Sequence, residues 1–203
     1  MQGVARFIRA KGGIAAIEFA LFAPFLAVMI YGLLELTLRF RAADEFQRYV
    51  QQAGDYLSRE EELFSADIDA IYSASNNMIR SGSLAGNLHM DVASIGFISD
   101  GTPELLWRRH RGDTPPSLDA SEAVGLGDPG ESVLRVSVRF SYETPISKLI
   151  GAGRMNLEEA VFYRPRTTRV IAIDGEIFDS GANWVNDGAS TAPDPSGDPD
   201  VEP

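Results

Sequence analysis

The stretch GGIAAIEFALFAPFLAVMIYGLLELTLRF, residues 12–40, decides the fold of this chain. Between residues 14 and 38 the only charged side chains are Glu18 and Glu35. As a helix, residues 14–38 would extend about 37 Å, which is more than the roughly 30 Å hydrocarbon core of a bilayer. The segment is apolar on every face, which favours a membrane-spanning helix over the alternative, a buried core helix.

A cleavable secretory signal would have a shorter apolar core, followed by a cleavage site between small residues. Here the apolar segment continues instead into RAADEFQRYVQQAGDYL, which predicts helix to about residue 60. Basic residues lie on both sides of the segment, so the positive-inside rule barely decides its orientation. Because most of the chain follows the segment, we predict a cytoplasmic N-terminus and an exported C-terminal part.

The two carboxylates of the apolar segment need different explanations. Glu35 lies near the predicted far interface and can pair with Arg39 one helical turn later. Glu18 has no basic residue one turn away within the segment, and an unpaired charge in lipid is costly. If the chain were cut between Gly13 and Ile14, the new terminal ammonium would lie one turn before Glu18. That ammonium could neutralise Glu18 of the same chain or of a neighbour; the alternative is a Glu18 side chain that snorkels to the headgroups.

This layout resembles the N-terminus of type IV pilin-like proteins, and in particular the TadE-like minor pilins, or pseudopilins, of the tight-adherence (Flp) pilus. A basic leader ending in KGG, followed by IAAIEFAL, FAPFL and YGLLELTLRFR, carries the resemblance. Residues 133–166 more loosely resemble the last two strands of that family and the proline-containing connection between them. Gly13 and Ile14 match the family's processing site, and Glu18 and Phe19 match the pair of residues used in subunit assembly.

The resemblance implies a mechanism and a set of partners. A prepilin peptidase would remove the leader, residues 1–13. An inner-membrane assembly platform, driven by its ATPase, would then extract the subunit from the lipid bilayer to join major and minor pilins. Glu18 would neutralise the terminal ammonium of an adjoining subunit and set its axial register, because an unpaired carboxylate in an apolar bundle is disfavoured. Pro24 has no backbone N–H and should bend the helix.

The predicted fold class is α+β: a long N-terminal helix, membrane-spanning in its first half, packed on a small antiparallel β-sheet head with one further helix. The membrane segment is 14–38, the head is 39–178, and the acidic segment 179–203 has too little apolar content to fold. The further helix is predicted to begin with Ser65 as its cap and to stop at Gly82. LRVSVRFSY alternates as a strand with one wet face, and a bulge is predicted near Ser94.

Other patterns carry little chemistry. The formal net charge of −11 argues against nucleic acid as a partner, and the absence of cysteine excludes thiolate metal sites. GLGDPG, residues 125–130, matches a dinucleotide-binding pattern in letters only, because a strand rather than a helix is predicted after it. His89 and His110 lack metal-ligand spacing. We therefore predict no catalytic site, no metal and no cofactor.

The resulting prediction is a single-pass protein of the bacterial inner membrane with a periplasmic head, which reaches the cell surface after assembly. It would be a minor pilin or pseudopilin, a substrate rather than an enzyme, that takes part in pilus assembly and adhesion. The main alternative is an uncleaved, signal-anchored periplasmic binding or sensor domain. An anchored enzyme is the third possibility, although the sequence shows no site for one.

Overall fold

The computed structural model describes residues 11–81, 84, 86–113 and 115–177. Most of the predicted leader lies outside the described residues, and so do the predicted acidic tail, 179–203, and Gly82. Within the described part, the predicted α+β class is confirmed: a long N-terminal helix packs on a small antiparallel sheet, with further helices beside it.

The long helix, α1, runs without interruption over Lys11–Leu57. Its described side chains between residues 15 and 34 are almost all exposed, whereas one face of its last part is buried. The buried residues recur every three or four positions, and they are Ala42, Phe46, Tyr49, Val50, Ala53 and Leu57. This spacing is that of a helix with one face in a core. The helix ends at Leu57, close to the end predicted at about residue 60.

The head contains two sheets and two shorter helices. In chain order its elements are β1 (Glu62–Leu63), α2 (Ser65–Met78), β2 (Leu88–Phe97), β3 (Pro103–Arg111), β4 (Ser132–Tyr142), α3 (Pro145–Ile150), β5 (Met155–Tyr163) and β6 (Ala172–Ile173). The main sheet is antiparallel with strand order β3-β2-β4-β5, and β1 pairs with β6 in parallel. The predicted bulge is confirmed, because the pairing of β2 with β3 shifts register between Ser94 and Ile95.

The inner face of the main sheet packs on α1 and forms the principal core. The alternation predicted for β4 is confirmed on this face. Its inner residues are all buried, and they are Leu134, Val136, Val138, Phe140 and Tyr142. The ring of Phe46 on α1 stacks on that of Phe140 with 6.3 Å between their centroids, so the helix and the sheet share one continuous core.

The prediction that the outer face of β4 is exposed to solvent is correct for only half of the strand. Arg139 and Ser141 do lie at the surface, but Arg135 and Ser137 are buried. The segment between β3 and β4 folds over this half of the face through a short 3-10 helix, Ala120–Ala123. The small side chains of this segment help to fill a second, smaller core. This half of the outer face is therefore shielded from water. The buried members of that core are Ile95, Phe97, Ala123 and Val133.

The start of α2 also differs from the prediction. Phe64, not Ser65, is the N-cap residue, and the Asp67 carboxylate accepts a hydrogen bond from the Phe64 N–H at 2.8 Å. The Ser65 hydroxyl instead donates to the Asp174 carboxylate, which also accepts from the Ser65 N–H at 2.9 Å. The predicted cap is wrong because Ser65 is already the first helical residue, and its hydroxyl donates to the Asp174 carboxylate instead of accepting from a helix N–H.

Gly127 in GLGDPG has a packing role. A Cβ atom at this position would lie 2.2 Å from the Phe97 ring, and Phe97 is completely buried. We expect Gly127→Ala to lower the free energy of unfolding by about 1–3 kcal/mol, because the covering segment must move away from the ring. Denaturant unfolding of the full chain in detergent measures this effect. In a Phe97→Leu background the same substitution should cost less, and an equal cost in both backgrounds would contradict the assigned contact.

Candidate functional site

The residues predicted to act in assembly all lie on the uncovered part of α1. Phe19 is 67% exposed, and the Glu18 side chain is exposed as well. Glu18 makes no hydrogen bond or ion pair with any other residue that the structure describes. The described part of the chain therefore leaves this carboxylate without a partner, near the start of an apolar helix surface.

The predicted processing site, Gly13 and Ile14, lies among the first described residues of α1. Ile14 belongs to the helix. Apart from the neighbouring residues and the backbone of α1 itself, no described atom lies within 4 Å of the position that a Cβ on Gly13 would occupy. The described head therefore does not cover Gly13.

The surface around Glu18 is apolar and uncovered. α1 is long and apolar enough to cross a membrane, and none of its most apolar window is buried by the described part of the chain. A core helix of a soluble monomer would be mostly buried, whereas the described part of this chain leaves the surface uncovered. Pro24 lies inside α1, which continues through it, and leaves the Ala20 carbonyl without its i+4 donor. A bend at Pro24 stays a prediction.

Glu35 joins α1 to the head. Its carboxylate accepts from the Arg39 guanidinium at 2.6 Å, as predicted, and also from the hydroxyls of Thr144 and Ser147. Arg39 in turn donates to the Ser147 hydroxyl at 2.8 Å. Thr144 caps α3, since its hydroxyl oxygen accepts from the Ser147 N–H at 2.9 Å. The Glu35 junction, made of these four residues, therefore fixes the first turn of α3 against the long helix.

Thr144 and Ser147 were missed in the sequence. The local signal for their helix was present, because threonine followed by proline is typical of a helix start. Their contact with Glu35, more than a hundred positions earlier, has no signal in a single sequence. The junction also means that contact with the head begins inside the predicted membrane segment 14–38. The freely exposed part, residues 15–34, spans about 30 Å as a helix, which equals the thickness of the hydrocarbon core.

A second carboxylate, Glu45, links α1 to the end of α2. It accepts from the Arg41 side chain at 2.8 Å, from the Ser81 hydroxyl at 2.7 Å, and from the backbone N–H groups of Arg80 and Ser81. Burial by itself would raise the pKa of Glu45, but these hydrogen bonds outweigh it and hold the pKa below its usual value.

A buried polar cluster lies on the outer face of the sheet. The Asp91 carboxylate accepts from Arg108 at 2.7 Å, and Arg135 pairs with Glu122 at 2.9 Å. The two arginines also donate to backbone carbonyls of the segment between β3 and β4, at Pro116 and Ser117. This arrangement attaches the covering segment to the sheet. Among the described residues, no three His, Cys, Asp or Glu side chains gather as a metal ion would require.

An apolar groove of about 340 Å³ lies between α1 and α2. It is lined mainly by alanine, aromatic and methionine side chains, including Tyr49, Tyr56 and Met78. The Tyr49 hydroxyl donates to the Ile71 carbonyl at 3.2 Å, and burial raises the pKa of this phenol. The groove offers apolar area with few polar groups to orient a ligand.

No family model, no curated protein and no solved structure matches this chain. The assignment of a function therefore depends on the geometry above and on the resemblance of the N-terminal sequence.

The Glu35 junction gives a stability prediction. We expect Glu35→Ala to lower the free energy of unfolding by about 1–3 kcal/mol, because it leaves the buried hydroxyls of Thr144 and Ser147 without their acceptor. Asp44→Ala is the matched control, since it removes an exposed i, i+4 pair with Arg48 from the same helix and should cost less than about 0.5 kcal/mol. Hydrogen exchange of the α3 amides should accelerate only in the first variant. Equal losses of unfolding free energy for the two substitutions would contradict the contacts assigned to the Glu35 junction.

The Glu45 contacts give a pH dependence. Because the pKa of Glu45 is lower in the folded state, its contribution to stability is complete above its ordinary value of 4.5. That contribution is lost as the pH falls from 4.5 through the folded-state pKa. Unfolding of Glu45→Gln should therefore depend less steeply on pH below 4.5 than unfolding of the unmodified chain. Glu61→Gln, at an exposed position, should keep the original slope. An unchanged slope in Glu45→Gln would contradict the assignment.

Proposed function

We propose that this chain is a membrane-anchored minor pilin or pseudopilin that takes part in the assembly of a tight-adherence pilus and in adhesion. The observation that carries the proposal is Glu18: an exposed carboxylate on an uncovered apolar helix, without a partner in the described part of its own chain. Burial of that surface against lipid or other helices would be costly unless the carboxylate found a cation. The N-terminal ammonium of a neighbouring processed subunit is such a cation.

Processing would create the cation that Glu18 lacks. A prepilin peptidase that cuts after Gly13 would place a terminal ammonium on Ile14, one helical turn before Glu18. In a bundle of such helices, the stagger that pairs the ammonium of one subunit with Glu18 of the next is the one that leaves no buried charge unpaired. The ATP-driven platform would supply the work of extraction, and the chain would be its substrate rather than an enzyme.

The way in which the head is joined to α1 suits a domain that is exported and displayed by its membrane helix. Because α1 enters the core of the head through its buried face, force applied to the membrane helix is transmitted directly to the sheet. We propose a periplasmic head, a cytoplasmic N-terminus, and major and minor pilins as partners. A second candidate is an uncleaved, signal-anchored binding or sensor domain, and the apolar groove between α1 and α2 favours it.

The first experiment determines the N-terminal residue of the protein isolated from its own cells, with and without the prepilin peptidase. We expect a start at Ile14 that depends on the peptidase, because only cleavage after Gly13 supplies the missing ammonium. Mass spectrometry of the intact chain and of its N-terminal peptide gives the answer. A leader retained in cells with the peptidase would instead favour the anchored domain.

The role of Glu18 is tested by its neutral isostere. Glu18→Gln should insert into the membrane and be processed normally, but it should fail to co-purify with the other pilins after assembly. Val28→Ala, which removes only apolar atoms from the same exposed surface, should co-purify as the unmodified chain does. Normal assembly of Glu18→Gln would refute the proposed pairing while leaving membrane anchoring intact.

A further inference from the structure

The connection between β4 and β5 leaves two large apolar side chains uncovered. Leu149 is 85% exposed and Ile150 is 67% exposed, although both follow the buried Ser147 in the short helix α3. The residues after them, as far as Arg154, are exposed too. We refer to residues 148–154, KLIGAGR, as the β4–β5 tip.

The position of the tip is fixed by the Glu35 junction. Thr144 and Ser147, on the inward side of α3, are hydrogen-bonded to Glu35 of α1. Leu149 lies two residues beyond Ser147, on the opposite side of the helix, where no part of the described head covers it. The tip is therefore beside α1 at the level of Glu35.

That level is also where the free apolar surface of α1 ends. Residues 15–34 match the thickness of the hydrocarbon core, and Glu35 is the first residue beyond them that contacts the head. The exposed apolar side chains of the tip therefore lie at the same end of the head as the exposed part of α1. Lys148 directly precedes Leu149 and Ile150, as expected of a segment whose charged end reaches lipid headgroups. Arg154, at the other end of the tip, donates to the Asn87 side chain of the head at 3.2 Å.

We propose that the β4–β5 tip inserts Leu149 and Ile150 into the boundary between headgroups and acyl chains of the membrane that α1 crosses. The head would then be attached to the bilayer at two points, and its rotation about the axis of α1 would be restricted. The inference rests on the membrane-crossing part of the proposed function and is independent of processing and of Glu18. The occupant to which it commits is lipid, not a second copy of the chain.

The absence of cysteine makes the test direct, because single cysteines can be introduced for labelling. The variants are Leu149→Cys in the tip, Leu26→Cys in the apolar part of α1, and Val124→Cys. Val124 is the matched control: it is an exposed apolar residue, but it lies in the segment before β4, at the opposite end of that strand. Each full-length variant carries an environment-sensitive fluorophore and is reconstituted into vesicles of phosphatidylcholine with a minority of phosphatidylglycerol.

Quenching by lipids with a nitroxide on the acyl chain reports the contact. We expect severalfold stronger quenching at positions 149 and 26 than at position 124. The quenching at position 149 should not change when the protein is diluted with lipid. Quenching at 26 but not at 149 would overturn the tip proposal and leave membrane anchoring in place. No quenching at 26 would overturn both. If dilution with lipid makes position 149 accessible to water, a second copy rather than lipid covers the tip, and the proposal is wrong.

Discussion

The structure of the head depends on the burial of one face of α1 against the inner face of the main sheet. Residues 42–57 of the helix supply a continuous apolar stripe, and β4 supplies the facing row from Leu134 to Tyr142. A single four-stranded sheet with one bare apolar face would not be stable in water, and a helix on that face is the simplest cover. The same helix, α1, therefore provides both the exposed apolar segment outside the head and the buried face that stabilises the head.

Two glutamates on this helix differ in whether their own chain provides hydrogen-bond donors for the carboxylate. Glu35 is surrounded by donors from its own chain, because Arg39 lies one turn away and α3 brings two hydroxyls to it. Glu18, further along the same helix, receives nothing from the rest of the described chain. A carboxylate that is fully hydrogen-bonded within the chain stabilises the fold, whereas one left alone on an apolar surface favours association with whatever carries a cation.

The periodic parts of the fold could be predicted from the sequence. The long helix, the alternation of β4 and the bulge near Ser94 follow from local patterns of apolar residues. The covered outer face could not be predicted, because the segment between β3 and β4 has no periodic pattern, and it contributes mainly small residues and backbone carbonyls. The cap at Ser65 was wrong for a related reason: Asp174, its actual partner, is 109 positions away.

Part of the candidate site could likewise be predicted from the sequence, and part of it could not. The Glu35–Arg39 pair has helical spacing and could be predicted, while Thr144 and Ser147 reach it only through the tertiary fold. The partner assigned to Glu18 is further away still, since it would form only after a covalent change and in another molecule. One chain in isolation can show that the carboxylate lacks a partner, and the matched spacing from Gly13 suggests what the partner is.

The pairing of β6 with β1 places the last strand of the head beyond the C-terminal end of α1. Leu63 pairs with Ile173, just beyond the C-terminal end of α1, and the Leu63 carbonyl accepts from the Asp174 N–H at 2.9 Å. From Glu35 to Leu57 the helix rises about 33 Å, so the C-terminal strand lies at the end of the head opposite the junction. A reporter or affinity tag inserted after Ile177 would start from this far pole, away from the exposed apolar part of α1.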